Sequence, residues 1–208
     1  MIKYDKNGIF SMQKILLILS YILLSLIVSL ISNFHYMESY SVLDDDSPYI
    51  VYENSEYGFS IAYPSSWNVT ENFNSKYDKV LFELSITSPF EGKGDLISEE
   101  FLLGINKMPE NITFNAFVES ALSQFTNTYK NFTLISNDTI QIDNHDARKI
   151  SYTYIAGEGP LSIKLLMIHN IIYDNDKIYV LTYGTQPNKY YEDIEMIQKI
   201  YDSFKFLS

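Results

Sequence analysis

The chain has 208 residues, a length that fits one domain plus an export segment. Its content of 46% hydrophobic residues, with 18 Tyr and 13 Phe, excludes a disordered composition. The absence of Cys excludes disulfides, thiolate metal sites, Cys nucleophiles and lipoprotein acylation together. The net charge is −11; without the first 41 residues, 12 basic and 24 acidic residues leave −12. Such a surface repels phosphate backbones and argues against a nucleic-acid partner. It speaks first to solubility.

Lys3, Lys6 and Lys14 precede the uncharged run Ile15–Ile31, and no charge follows until Glu38. At the rise of an α-helix, Ile15–Met37 would span roughly 34 Å, enough to cross a bilayer. Lysines before it and Glu38, Asp44, Asp45 and Asp46 after it place the N-terminus in the cytoplasm and the remainder outside. Residues 1–37 therefore read as a signal peptide or signal anchor. The run exceeds a usual signal core, and the nearest small-x-small site, Ser39-Tyr40-Ser41, lies well past its end, which favours a retained anchor. Residues 38–48 read as a linker and 49–208 as the domain. The chain is thus expected on the extracytoplasmic face of the membrane, anchored through Ile15–Ile31 or secreted.

Phe59, Ile61 and Tyr63 alternate in a first half-buried strand over 57–63, which Pro64-Ser65-Ser66 breaks before Trp67. Val80, Phe82, Leu84 and Ile86 alternate in a second strand. A polar loop follows over 89–95, then a more continuously apolar strand over 101–108. Phe114, Phe117, Val118, Ala121, Leu122 and Phe125 form one apolar helical stripe, with Thr113 as N-cap. Phe132–Ser136 and Thr139–Ile142 read as two short strand pieces. Asp143-Asn144-His145-Asp146 is turn chemistry, followed by the alternation of Ile150, Tyr152 and Tyr154. After Gly157-Glu158-Gly159-Pro160, Leu161–Tyr173 and Lys177–Tyr183 flank Asp174-Asn175-Asp176 as a hairpin. Tyr191, Ile194, Ile197, Tyr201 and Phe204 mark a last helix with Asn188 as its cap, and Phe204-Lys205-Phe206 is placed to close the sheet. Consecutive strands on tight turns predict an α+β fold, a mainly antiparallel central sheet with helices packed on its faces.

The stretch Tyr57-Gly58-Phe59-Ser60-Ile61-Ala62-Tyr63-Pro64-Ser65-Ser66-Trp67 resembles the opening of the PsbP family, the extrinsic proteins of photosystem II and their non-photosynthetic relatives. Two later stretches are similar to it as well. One is Ile142–Ile150, a hairpin in which Asn144 or His145 stands where the family has Gly. The other is Lys177–Tyr183 followed by a helix and Ser203-Phe204. The resemblance covers about residues 49–206. It implies a PsbP-like α/β/α sandwich, an extrinsic position on a membrane and no catalytic apparatus. In photosynthetic members it also implies calcium- and manganese-related service to the oxygen-evolving complex, yet this domain opens on acids where a Lys-rich docking stretch would be. The motif residues Tyr57, Gly58, Phe59, Tyr63, Pro64 and Trp67 have structural explanations: a permissive dihedral at Gly58, a ladder end at Pro64 and a large apolar burial at Trp67.

The three His (35, 145 and 169) fall in no HExxH pattern, and no GxSxG, Walker or GxGxxG pattern is present, so no enzymatic activity is expected and no organic cofactor is assigned. Asp174 with Asp176, and Asp143 with Asp146, offer hard oxygen ligands that would suit calcium. Tight turns require the same residues, and neither pair supplies calcium's ligand count. Four N-x-S/T sequons, at Asn68, Asn111, Asn131 and Asn137, are a weak excess over the roughly 2.5 expected from composition. The resulting expectation is a non-catalytic, membrane-associated domain that binds or helps assemble an envelope protein of unknown identity. The alternative is a small-ligand or divalent-metal protein.

Overall fold

The computed structural model describes residues 49–72, 80–89 and 98–207. The apolar run Ile15–Ile31, the linker 38–48 and most of the loop expected over 89–95 lie outside the described residues. Among the described residues no helix is long and apolar enough to cross a membrane.

Among the described residues, ten strands and two helices follow in chain order: β1 (Tyr49–Asn54), β2 (Phe59–Pro64), β3 (Asn68–Asn72), β4 (Val80–Thr87), β5 (Glu100–Lys107), α1 (Phe114–Thr128), β6 (Lys130–Ile142), β7 (His145–Ala156), β8 (Ile163–Asp174), β9 (Lys177–Thr185), α2 (Pro187–Ser203) and β10 (Lys205–Phe206). They form two sheets where the sequence suggested one. A seven-stranded sheet runs β3-β4-β5-β9-β8-β7-β6, and a three-stranded sheet runs β1-β2-β10. Every pairing is antiparallel. From β5 the chain crosses through α1 to the far edge. It then returns by hairpins β6-β7-β8-β9 until β9 docks beside β5.

Strand alternation divides the large sheet's side chains between two cores. Phe101, Leu103 and Ile105 of β5 and Tyr179, Leu181 and Tyr183 of β9 face one side. There they meet Phe59, Ile61 and Tyr63 of β2 and Ile197, Ile200 and Tyr201 of α2. Leu102 of β5, Tyr152 and Tyr154 of β7, and Ile178 and Val180 of β9 face the other, where α1 contributes Phe117, Val118, Ala121 and Phe125. Covering on both faces explains why β5, β8 and β9 read as nearly continuous apolar runs while β4 alternates. Full burial of each such side chain contributes about 1.5–3 kcal/mol.

Several local expectations are corrected. β1 and β3 carry too few alternating apolar residues to announce themselves; each is held by pairing with a neighbour, β2 and β4 respectively. β6 is one 13-residue strand, not two pieces, because β7 pairs along its whole length and register shifts near Phe132 and Ile135 absorb the irregularity. β8 starts at Ile163, since Gly159–Leu161 forms a 3-10 turn. The N-cap of α2 is Gln186, with Pro187 opening the helix, where its fixed φ and missing N–H suit the first turn; Asn188 is already inside. Tyr191 and Ile194 are 78% and 41% exposed, so the buried stripe of α2 begins only at Ile197. Thr113 does cap α1, its Oγ1 accepting from the Ala116 N–H at 3.3 Å. Phe204 turns the chain into β10, which pairs with β2 in the small sheet and does not extend the large one.

Candidate functional site

Two hairpin turns sit side by side at one end of the large sheet because β7 and β8 are neighbours. Asp143 and Asn144 connect β6 to β7, both with positive φ (47° and 63°), the signature of a two-residue hairpin turn. Asn tolerates that region better than other side-chain-bearing residues, which explains why the turn needs no Gly at 144. Asn175 (φ 53°) opens the β8–β9 turn in the same manner. The β7–β8 register pairs Ala147 with Ile172, so continuing it two residues sets His145 opposite Asp174.

The two side chains meet there, with His145 Nε2 3.3 Å from Asp174 Oδ1. His145 Nδ1 lies 2.8 Å from the carbonyl oxygen of Asp143, and the ring packs on Phe206 at 4.2 Å between centroids. Asp143 Oδ2 accepts the Phe206 backbone N–H at 2.8 Å, and its Oδ1 faces Lys205 Nζ at 3.5 Å. The Phe206 N–H, with Lys205 beside it, holds the Asp143 carboxyl below the usual carboxylate range. Tyr179 packs edge-on against Phe206 and donates its hydroxyl to the Tyr57 carbonyl at 3.0 Å. The cluster is a clasp that fastens β10 of the small sheet to the turns of the large one.

Of the four candidate calcium ligands, Asp143 and Asp174 come together around His145. Asp146 points elsewhere, accepting from Gln141 Nε2 at 2.6 Å, and Asp176 offers its backbone carbonyl to the Met108 N–H. Among the described residues no group of three or more His, Cys, Asp or Glu is arranged to hold a metal ion.

His169 occupies the interior instead. It is 2% exposed and lies between Tyr152 Oη (3.0 Å from Nε2) and Thr182 Oγ1 (2.8 Å from Nδ1), stacked against Phe125. Burial holds its pKa down to about 3 and pushes the Tyr152 hydroxyl well up, so both groups are neutral. A base sealed in this way reaches no substrate. Two buried acids that the sequence did not single out lie at the start of β5: Glu99 accepts from Ser88 Oγ at 2.7 Å and Glu100 from Ser85 Oγ at 2.8 Å. Only their neighbours across β4 reveal them, because Glu99-Glu100 reads in sequence as an ordinary solvated pair.

The opening motif is scaffolding. Gly58 takes φ 69°, sends its N–H to the Asn54 carbonyl and accepts from the Leu207 N–H at 2.9 Å. Tyr57 Oη donates to the Leu81 carbonyl at 2.8 Å, tying the small sheet to the large one. Pro64 ends β2 and accepts from the N–H of Trp67, which is 7% exposed in the core under α2.

The antiparallel sheet with one helix on each face, and a small sheet sharing the α2 side, defines the class: an α+β domain of the PsbP-like fold. The family model described as PsbP-like protein matches residues 20–206, and the chain belongs to that family. Solved structures agree on the fold. Cyanobacterial PsbP (CyanoP) from Synechocystis sp. PCC 6803 aligns at 12% identity and TM-score 0.56, covering 82% of this chain and 98% of that one. LpqN of Mycobacterium tuberculosis, described as involved in cell envelope biogenesis, aligns at 10% identity and TM-score 0.52, covering 79% and 88%. PA94 of Pseudomonas aeruginosa aligns at 16% identity and TM-score 0.52, covering 74% and 94%. No curated protein sequence matches the chain.

Proposed function

We propose that this PsbP-like chain is an exported, membrane-associated, non-catalytic domain that binds or helps assemble an extracytoplasmic partner protein. The observation that carries the reading is the outer edge of β1. This strand has no neighbour on that side among the described residues, and it presents Tyr49, Ile50 and Val51 at 36%, 44% and 64% exposure. Open edges are ordinarily blunted by charge or Pro; the first four residues of this one, Tyr49–Tyr52, are aromatic and aliphatic, with Lys199 over the Tyr49 ring and Glu53 as the strand's one charge, a surface on which an extended partner segment adds a strand. It also lies immediately after the linker, on the membrane side of the domain if Ile15–Ile31 is an anchor. The family match and the envelope role printed for LpqN support the location. The sealed His169 and the clasped His145 support a non-catalytic role.

The test is affinity purification of the full chain from its native membranes, with Val51→Lys and Ile50→Lys beside the wild type. The partner that co-purifies with the wild type should be lost from both variants while their melting temperatures stay unchanged, since both side chains are exposed. Retention of that partner by both variants would remove the β1 edge from the interface.

A further inference from the structure

The four sequons are not alike in the fold. All four are N-x-T: Asn68-Val69-Thr70, Asn111-Ile112-Thr113, Asn131-Phe132-Thr133 and Asn137-Asp138-Thr139. With 16 Asn and 10 Thr in 208 residues, 16 × 10/208 gives about 0.8 N-x-T triplets by chance, whereas the 23 Ser predict about 1.8 N-x-S and none occurs. The excess is confined to the Thr form.

Two of the triplets present both recognised groups to solvent. In an extended strand, residues i and i+2 share a side and i+1 takes the other. At the start of β3, Val69 packs on the core beneath α2 and leaves Asn68 and Thr70 exposed. At the start of β6 the strand is irregular, Asn131 taking φ 53° within the register shift between Lys130 and Thr133; there Phe132 packs against Tyr152 at 4.9 Å while Asn131 and Thr133 are exposed. These strands are the two edges of the seven-stranded sheet. In the other two triplets a recognised group is engaged. Arg148 donates to Asn137 Oδ1 (2.6 and 3.2 Å) and faces Thr139 Oγ1 at 3.4 Å, and Thr113 Oγ1 is committed to capping α1.

We infer that Asn68 and Asn131 are N-glycosylation sites, one on each open edge of the large sheet, and that Asn111 and Asn137 are not. The inference rests on the export reading above, since the transfer takes place outside the cytoplasm. The co-reactant is a lipid-linked oligosaccharide carried on a polyprenyl phosphate or pyrophosphate, used by a membrane oligosaccharyltransferase. The side-chain Nδ2 attacks the anomeric carbon of the reducing-end sugar. The C–N bond forms, the C–O bond to the phosphate breaks, the lipid phosphate leaves and one Nδ2 proton is lost to base. A glycan at each edge would do what charge and Pro do on other open edges, blocking strand addition.

The experiment is peptide mapping by mass spectrometry of the full chain purified from its own cells, with external protease digestion of intact cells in parallel. Peptides holding Asn68 and Asn131 should carry sugar mass, and those holding Asn111 and Asn137 should not. Thr70→Ala and Thr133→Ala should each remove the glycan from their own site without lowering the melting temperature, and Thr133→Ser should restore it in part. Bare Asn68 and Asn131 in a protease-accessible domain would overturn the inference and leave export standing. A bare and protease-protected domain would overturn export and the inference with it. Sugar on Asn137 or Asn111 instead would overturn the assignment by exposure.

Discussion

Acid should begin to destabilise this domain through His169 before ordinary carboxylates titrate. His169 is 2% exposed with its pKa held to about 3, whereas an unfolded His titrates near 6.5. Below about pH 6.5 the unfolded chain binds a proton that the folded chain refuses. The stability from a neutral His169 is therefore complete above that pH and declines as pH falls toward 3. The slope is about 1.4 kcal/mol per pH unit, so moving from pH 6.5 to 5 removes about 2 kcal/mol, and the whole window is worth on the order of 5 kcal/mol. Urea unfolding of the 49–208 fragment, followed by Trp67 fluorescence at pH 7 and pH 5, measures this loss; the melt should be cooperative without residues 1–48. His145 and the buried Glu99 and Glu100 are common to the wild type and a His169 variant, so the difference between the two reports on His169 alone. His169→Phe, which stacks on Phe125 but cannot take a proton, should start lower at pH 7 by about 1–3 kcal/mol because Tyr152 and Thr182 lose their partner. Its stability should then be nearly flat between pH 7 and 5. A variant that loses as much stability as the wild type over that interval would refute the assignment of the acid sensitivity to His169.

Two further outcomes test the fold. Trp67→Ala should lower stability by about 3–5 kcal/mol in chemical denaturation, the usual loss for a buried aromatic; wild-type stability with lost partner binding would make Trp67 a contact residue. Asp143→Asn should weaken the clasp, raising hydrogen exchange at the Phe206 amide at neutral pH. In the wild type the same release should occur only as pH falls below the ordinary carboxylate range, because the lowered pKa of Asp143 makes its contribution present above that range and lost beneath it. A saturable upward melting shift with calcium that disappears in Asp143→Asn and Asp174→Asn would instead revive these acids as ion ligands.

The elements whose signals are local are legible in the residues alone. The stripe of α1 and its Thr113 cap, the alternation of β4, and the turns at Asp143-Asn144 and Asn175 follow from side-chain spacing and backbone preference within a few residues. So does the resemblance carried by Tyr57 to Trp67, because each of those residues answers a local need for a dihedral, a strand end or burial. The rest depends on contacts between residues far apart in the chain. β1 and β3 exist because β2 and β4 supply their hydrogen bonds, and the buried stripe of α2 begins only at Ile197 because Tyr191 and Ile194 lie beyond what the two sheets cover. Asp143 and Asp174 are 31 positions apart, and nothing near either names the other; they share one histidine because β7 and β8 pair in a register that brings two turns level. The sequons make the same point, since the four triplets are equivalent as text. Their difference arises from which strands are left at the sheet's edges and from Arg148 arriving across β6 to occupy Asn137. Sequence fixes what each residue can do locally, and strand pairing, a long-range property, decides which of those capacities face solvent and which are already satisfied.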